Sequence, residues 1–202
     1  MKVILQLLLL FGGLMCFLSG CTDQKTKHSL HAAFNKLEDL EELVKEAPLD
    51  SINSVRDRLL EMKKDLVWLG SDSNVVFVRS DALIIEELSK GNRYLKDSPS
   101  RFAGIFQEIE RCKTQVSGLV DVIETGADLD ALGDSIDEVY IKKNVEIELN
   151  AVVKLEGVVM ETLRLARLGL ETDFSSREAI DSLLEVKRGQ WARGIAKVTE
   201  EI

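Results

Sequence analysis

The chain has 202 residues, with 26 basic and 35 acidic side chains and a formal net charge of −9. That balance excludes a general nucleic-acid binder, which needs a basic face to meet phosphate groups. Only two prolines and 5% aromatic residues also argue against a sandwich or barrel, which would show frequent turn signals and aromatic or β-branched strands.

The first residues read as an export signal. Lys2 gives a short positive start, and residues 3–18, VILQLLLLFGGLMCFL, form an uncharged apolar core of the kind a secretory signal carries. Its 16 residues fall short of the roughly 20 that a spanning helix needs, and Gly12-Gly13 weaken it as a permanent helix. The core ends in Leu18-Ser19-Gly20-Cys21, an aliphatic residue, two small ones and a cysteine. This tetrad resembles the lipobox of bacterial lipoproteins. The resemblance implies cleavage between Gly20 and Cys21, a diacylglyceryl group on the Cys21 thiol, and acylation of the new amino terminus. It places the protein in the bacterial cell envelope, held by membrane lipid through acylated Cys21. Thr22 in place of an aspartate implies sorting to the outer rather than the inner membrane. Two or more acyl chains make such an anchor stable, whereas one holds marginally.

Residues 22–29, TDQKTKHS, lack periodicity and read as a tether, about 26 Å long if fully extended. Removing residues 1–20 leaves 182 residues with a net charge of −10, enough for one domain over 30–202. Cys16 leaves with the signal and Cys21 is consumed by lipid, so Cys112 stands alone and no intramolecular disulfide forms.

Helical spacing then recurs. Leu30, Phe34, Leu37, Leu40 and Val44 make the first stripe, with Glu and Lys opposite. Pro48 ends that helix and opens the next, where Ile52, Val55, Leu59, Met62, Leu66 and Leu69 form a near-heptad stripe up to Gly70. Val75–Leu95 is expected as a third helix despite the strand-like NVVFV, with Gly91-Asn92 as a break. Ser98-Pro99 signals a fourth start, followed by Phe102, Ile105, Ile109, Cys112, Val116, Leu119 and Ile123. After GADLDALGDS a long central helix is expected over 135–171, on Val145, Leu149, Val152, Val159, Leu163, Ala166 and Leu170, interrupted by Glu156. A second apolar edge at Ile147, Leu155, Val158 and Leu165 widens it. A capping box from Ser175 to Glu178 opens a last helix through Ile180, Leu184, Trp191, Ile195, Val198 and Ile202. The expectation is an all-α, antiparallel bundle of about six helices.

The chemistry-bearing residues are few. His28 and His31 could share one helix face, but a structural zinc site takes four ligands and no other thiolate or imidazole accompanies them. Neither follows a glutamate by three residues, which excludes the Glu-x-x-His units of di-iron bundles. No metal or other cofactor is implied. Cys112 lies on an apolar stripe, where cysteine packs as a small hydrophobe. Glu38, Asp39, Glu41 and Glu42 read as a solvated face. Trp68 is the side chain of most interest, because it neighbours Val67 and Leu69 and one of the three must leave the core. These features lead to the expectation of a non-enzymatic, membrane-anchored module that binds another envelope protein through a helix face. The alternative is a carrier whose bundle opens a groove for an apolar or lipid-like ligand, with Lys154, Arg164 or Arg167 meeting an anionic head group.

Overall fold

A computed structural model describes the backbone of residues 2–130 and 133–200 and the side chains of 24–130 and 133–196. Five α-helices follow one another, α1 (Lys2–Lys45), α2 (Leu49–Leu69), α3 (Asp81–Leu95), α4 (Ser98–Thr125) and α5 (Glu138–Glu200). The described residues contain no strand, only an isolated antiparallel bridge between Leu129 and Ser135. The chain is all-helical, as expected. Among the described residues the helices number five rather than six, because the two segments expected around 135–171 and from 176 onward are one helix.

The chain divides into two compact units. One comprises α1, α4 from Ile105 and α5 up to Val159. Its core is built from the 3,4-spaced stripes of the three helices. Leu30, Ala33, Leu37, Leu40 and Val44 come from α1, Ile105, Ile109, Cys112, Val116 and Leu119 from α4, and Val145, Val152, Leu155 and Val159 from α5. Each fully buried aliphatic side chain stabilises by about 1.5–3 kcal/mol. Ion pairs stitch the helices outside this core. Lys113 donates to Glu41, which Lys45 also meets, and Lys36 lies 2.6 Å from Glu156. Lys27 lies 3.9 Å from Glu124, and Ser29 Oγ donates to the Lys25 carbonyl at 3.1 Å. Residues 22–29 therefore belong to α1 and are not an extended tether.

The other unit comprises α2, α3, the first turns of α4 and α5 from Met160. Ile52, Leu59, Leu66 and Leu69 of α2, Leu88 and Leu95 of α3, and Ile180, Leu183 and Leu184 of α5 fill its core. Two glycines let the helices approach. A Cβ on Gly91 would lie 3.0 Å from Leu59 Cδ1, and one on Gly169 would lie 2.4 Å from Leu95 Cγ. Asn92 is buried and donates from Nδ2 to the Leu59 carbonyl at 3.1 Å. Asp173, 1% exposed, accepts from both Arg58 and Arg177, so its charge is compensated where burial would otherwise penalise it.

Several local expectations change. Residues 75–78 are not helical, and α3 starts at Asp81. Val75, Val76 and Val78 are β-branched, which disfavours helix, and the Val76 and Val78 backbone finds side-chain partners instead. Gly91-Asn92 does not break α3, since both are buried inside it. Ser98 is not an accepting cap; its Oγ donates to the Leu95 carbonyl at 2.8 Å. Pro99, four residues on, has no N–H to offer that carbonyl. Ser175 and Ser176 lie inside α5 and donate to the Thr172 carbonyl at 3.1 and 2.6 Å, the in-helix alternative to capping.

Candidate functional site

Exposed apolar side chains occur along the whole chain, and four of them, Val67, Trp68, Val76 and Val78, lie in or beside the α2–α3 connection of the second unit. At the end of α2 the run Val67-Trp68-Leu69 splits. Leu69 is fully buried, while Val67 is 69% and Trp68 52% exposed. The Trp68 ring packs edge-on against Trp191 of α5, with centroids 4.9 Å apart and planes at 60°. This geometry suits the aromatic quadrupoles and fixes the Trp68 rotamer.

The chain then turns. Ser71 Oγ donates to the Trp68 carbonyl at 2.6 Å, and Asp72 Oδ1 accepts from the Asn74 backbone N–H at 2.8 Å, an Asx turn. Val75 is buried and pins the next segment. α5 supplies the rest. Gln190 Oε1 accepts the Val76 N–H at 3.0 Å, and Lys187 Nζ donates to the Val76 carbonyl at 2.7 Å. Asp81 Oδ2 accepts the Val78 N–H at 2.9 Å. With its backbone held in this way, the segment presents Val76 and Val78 outward, 59% and 53% exposed.

Lys187 is the centre of this arrangement. It is buried, lies 2.6 Å from Asp81 Oδ2, and its ammonium sits 4.9 Å from the Phe77 ring centroid. The hydrogen bond from Lys187 holds the Asp81 carboxyl below its ordinary value, against the opposing effect of burial. The result is a connection whose Val76 and Val78 side chains are exposed while the Val76 N–H and carbonyl and the Val78 N–H are hydrogen-bonded. Covering the exposed part of these side chains would stabilise a complex by about 1 kcal/mol each, less the losses of association.

The other residues singled out in the sequence fall elsewhere. Lys154, Arg164 and Arg167 are exposed on α5. Arg164 forks onto Glu161 at 2.7 and 2.8 Å, and Arg167 lies 3.7 Å from Glu171; the two arginines thus neutralise their own helix. His28 and His31 are exposed, and the described residues contain no group of three or more His, Cys, Asp or Glu placed to hold a metal ion. Cys112 is fully buried, and burial pushes its thiol up from the ordinary value. Glu38, Asp39 and Glu42 are exposed, whereas Glu41 is lowered to about 2, chiefly by the hydrogen bond from Lys113 and then by that from Lys45. Gly20, Cys21, Val198 and Ile202 lie outside the residues whose side chains are described. Among the described residues no helix is long and apolar enough to cross a membrane.

Sequence reasoning singled out Trp68 and missed Val76, Val78, Trp191 as its partner, and the Lys187–Asp81 pair. The available signal was NVVFV between two turn-forming stretches, strand-like in composition without a strand to pair with. No protein-family model, curated protein or solved structure matches the chain.

Proposed function

We propose that this is a lipid-anchored protein of the bacterial cell envelope, a helical bundle that acts without catalysis by binding another envelope protein. The observation that carries the reading is that Val67, Trp68, Val76 and Val78, in and beside the α2–α3 connection, are exposed while Trp68 packs on Trp191. Tryptophan in a fixed rotamer beside aliphatic side chains is the composition of binding hot spots. The lipobox-like Leu18-Ser19-Gly20-Cys21 supports the anchor, with the outer membrane as destination.

The anchor and the binding surface work together physically. Attachment at Cys21 confines the protein to the membrane plane and raises its effective concentration beside membrane partners. Residues 22–24 are helical within α1, so about 4.5 Å of helix rise separates Cys21 from Gln24. A standoff that short restricts partners to proteins at the membrane surface.

Native electrophoresis of detergent-solubilised membranes tests the binding half. The parent chain is expected in a complex larger than itself, and a Val67→Ser/Trp68→Ser variant is expected to migrate alone while remaining helical. Unchanged migration of that variant would remove this surface from the account.

A further inference from the structure

Ion pairs between the helices of the first unit fix which of its ends carries the anchor. Lys27 of α1 lies 3.9 Å from Glu124 near the end of α4, and Lys113, earlier on α4, donates to Glu41, later on α1. The two helices therefore run antiparallel, and the start of α1 lies beside the end of α4. Cys21 precedes Lys27 by six residues in an unbroken helix, about 9 Å of rise, whereas α4 stops at Thr125. The lipid-bearing residue is thus carried past the end of α4, to the level of the α4–α5 connection.

That connection folds back on itself. The Ile136 N–H donates to the Asp128 carbonyl and the Asp130 N–H to the Asp134 carbonyl, both at 2.9 Å, beside the bridge between Leu129 and Ser135. The Tyr140 hydroxyl donates to Asp130 Oδ2 at 3.3 Å and so ties the turn to the start of α5. Leu129 and Val139 are left 61% and 73% exposed. Asp128, Asp130, Asp134, Asp137 and Glu138 stand around them, and residues 126–141 contain no lysine or arginine. With the neighbouring turns included, residues 21–30 and 121–143 hold eight carboxylates against Lys25, Lys27, Lys142 and Lys143, a net of −4.

Resting on the lipid anchor proposed above, we infer that the first unit meets the membrane with its α4–α5 connection, and that this contact takes zwitterionic lipid and rejects anionic lipid. α1 is helical through Cys21, so no extended tether separates the acyl chains from the unit. Neighbouring helices pack about 8–10 Å apart, which sets the connection about that far to the side of Cys21. The distance is comparable with the Debye length of about 8 Å at physiological ionic strength, so salt does not hide the carboxylates from charge on the leaflet. An anionic leaflet attracts basic segments and repels this acidic end by the same physics. Zwitterionic head groups impose no such repulsion, and they offer Leu129 and Val139 cover from water.

The test places the full lipidated chain in phosphatidylcholine vesicles that include a lipid with a nitroxide on its head group. A fluorophore is attached through Leu129→Cys or, as the comparison, through Asp39→Cys, which is exposed on α1 of the same unit and about 27 Å of helix beyond Cys21. Cys112 is fully buried, and the parent chain serves as the labelling control. Quenching at 129 is expected to exceed that at 39 by roughly threefold, and to fall by roughly half when phosphatidylglycerol replaces an equal share of the phosphatidylcholine. An Asp128→Asn/Asp134→Asn/Glu138→Gln variant, which removes three exposed carboxylates of this end, should lose most of that fall. Equal quenching at 129 and 39, or quenching at 129 indifferent to phosphatidylglycerol, overturns the inference and leaves the anchor reading standing. A chain that does not float with the vesicles overturns both.

Discussion

Replacing Lys187 by methionine isolates the interaction that holds the α2–α3 connection in place. Lys187 is 3% and Asp81 8% exposed, so the substitution keeps most of the stem volume and deletes the buried ammonium. Asp81 is then left with the Val78 N–H as its remaining hydrogen-bond donor, and the Val76 carbonyl loses the bond from Lys187. Removing one partner of a buried pair costs about 3–5 kcal/mol. Asp81 stands at the start of α3 beside the solvated turn, so the lower part of that range applies, about 3 kcal/mol, with up to about 1 more from the Phe77 contact. A Lys187→Met/Asp81→Leu variant leaves no unpaired charge and should lose only about 1–2 kcal/mol, a coupling of at least about 1 kcal/mol. The assay is urea unfolding followed by tryptophan fluorescence, because Trp68 and Trp191 are the two tryptophans of the chain and both lie in the second unit. With a slope of about 2 kcal/mol per molar, the single variant should lower the midpoint by roughly 1.5 M. A single variant within about 1 kcal/mol of the parent, or a double variant as unstable as the single, would refute the reasoning.

Other expected outcomes follow from the same packing. Gly169→Ala should destabilise the chain by about 1–3 kcal/mol through overpacking, because the new Cβ would meet Leu95 at 2.4 Å. Gly157→Ala, with nothing within 4 Å, should stabilise α5 by about 0.5–1 kcal/mol; thermal unfolding of the two variants checks the contrast. Glu41 is lowered from 4.5 to about 2, so its stabilisation is present above pH 4.5 and lost as pH falls through 2. Glu41→Gln should therefore flatten the decline of stability between pH 4.5 and 2, read from denaturation curves at fixed ionic strength. The Cys112 thiol, fully buried and raised, should resist a thiol reagent in the native chain and react once urea unfolds it.

The stripes on α1, α2 and α4 were legible in the sequence because their seam positions are nearly all apolar. α5 was legible as helix and misread in phase and length. Its 3,4 spacing of buried positions runs from Val145 through Glu148, Val152, Leu155, Val159, Thr162, Ala166, Gly169, Asp173, Ser176, Ile180 and Leu183 to Lys187. Half of the later seam positions are polar or glycine. A hydrophobic pattern therefore drifts onto the half-buried neighbours Leu149, Leu163 and Leu170 and finds a false start at Ser175. The polar seam residues are tolerated because their partners come from elsewhere in the chain, Arg58 for Asp173 and Asp81 for Lys187. The same long-range dependence hid the conformation of the α2–α3 connection. Residues 75–78 are held outside the helical state in part because Gln190 and Lys187, more than a hundred residues later, satisfy the Val76 N–H and carbonyl. The split at Val67-Trp68-Leu69 was foreseeable from helical geometry alone, since three consecutive residues cannot all face one core.

The central claim is a protein anchored at Cys21, and the most direct test is mass spectrometry of the amino-terminal peptide of the native chain. The account predicts a peptide that begins at Cys21 and carries a thioether-linked diacylglyceryl group with a further acyl chain on its amine. A chain that begins at Met1, or one that begins at an unmodified Cys21, would contradict it.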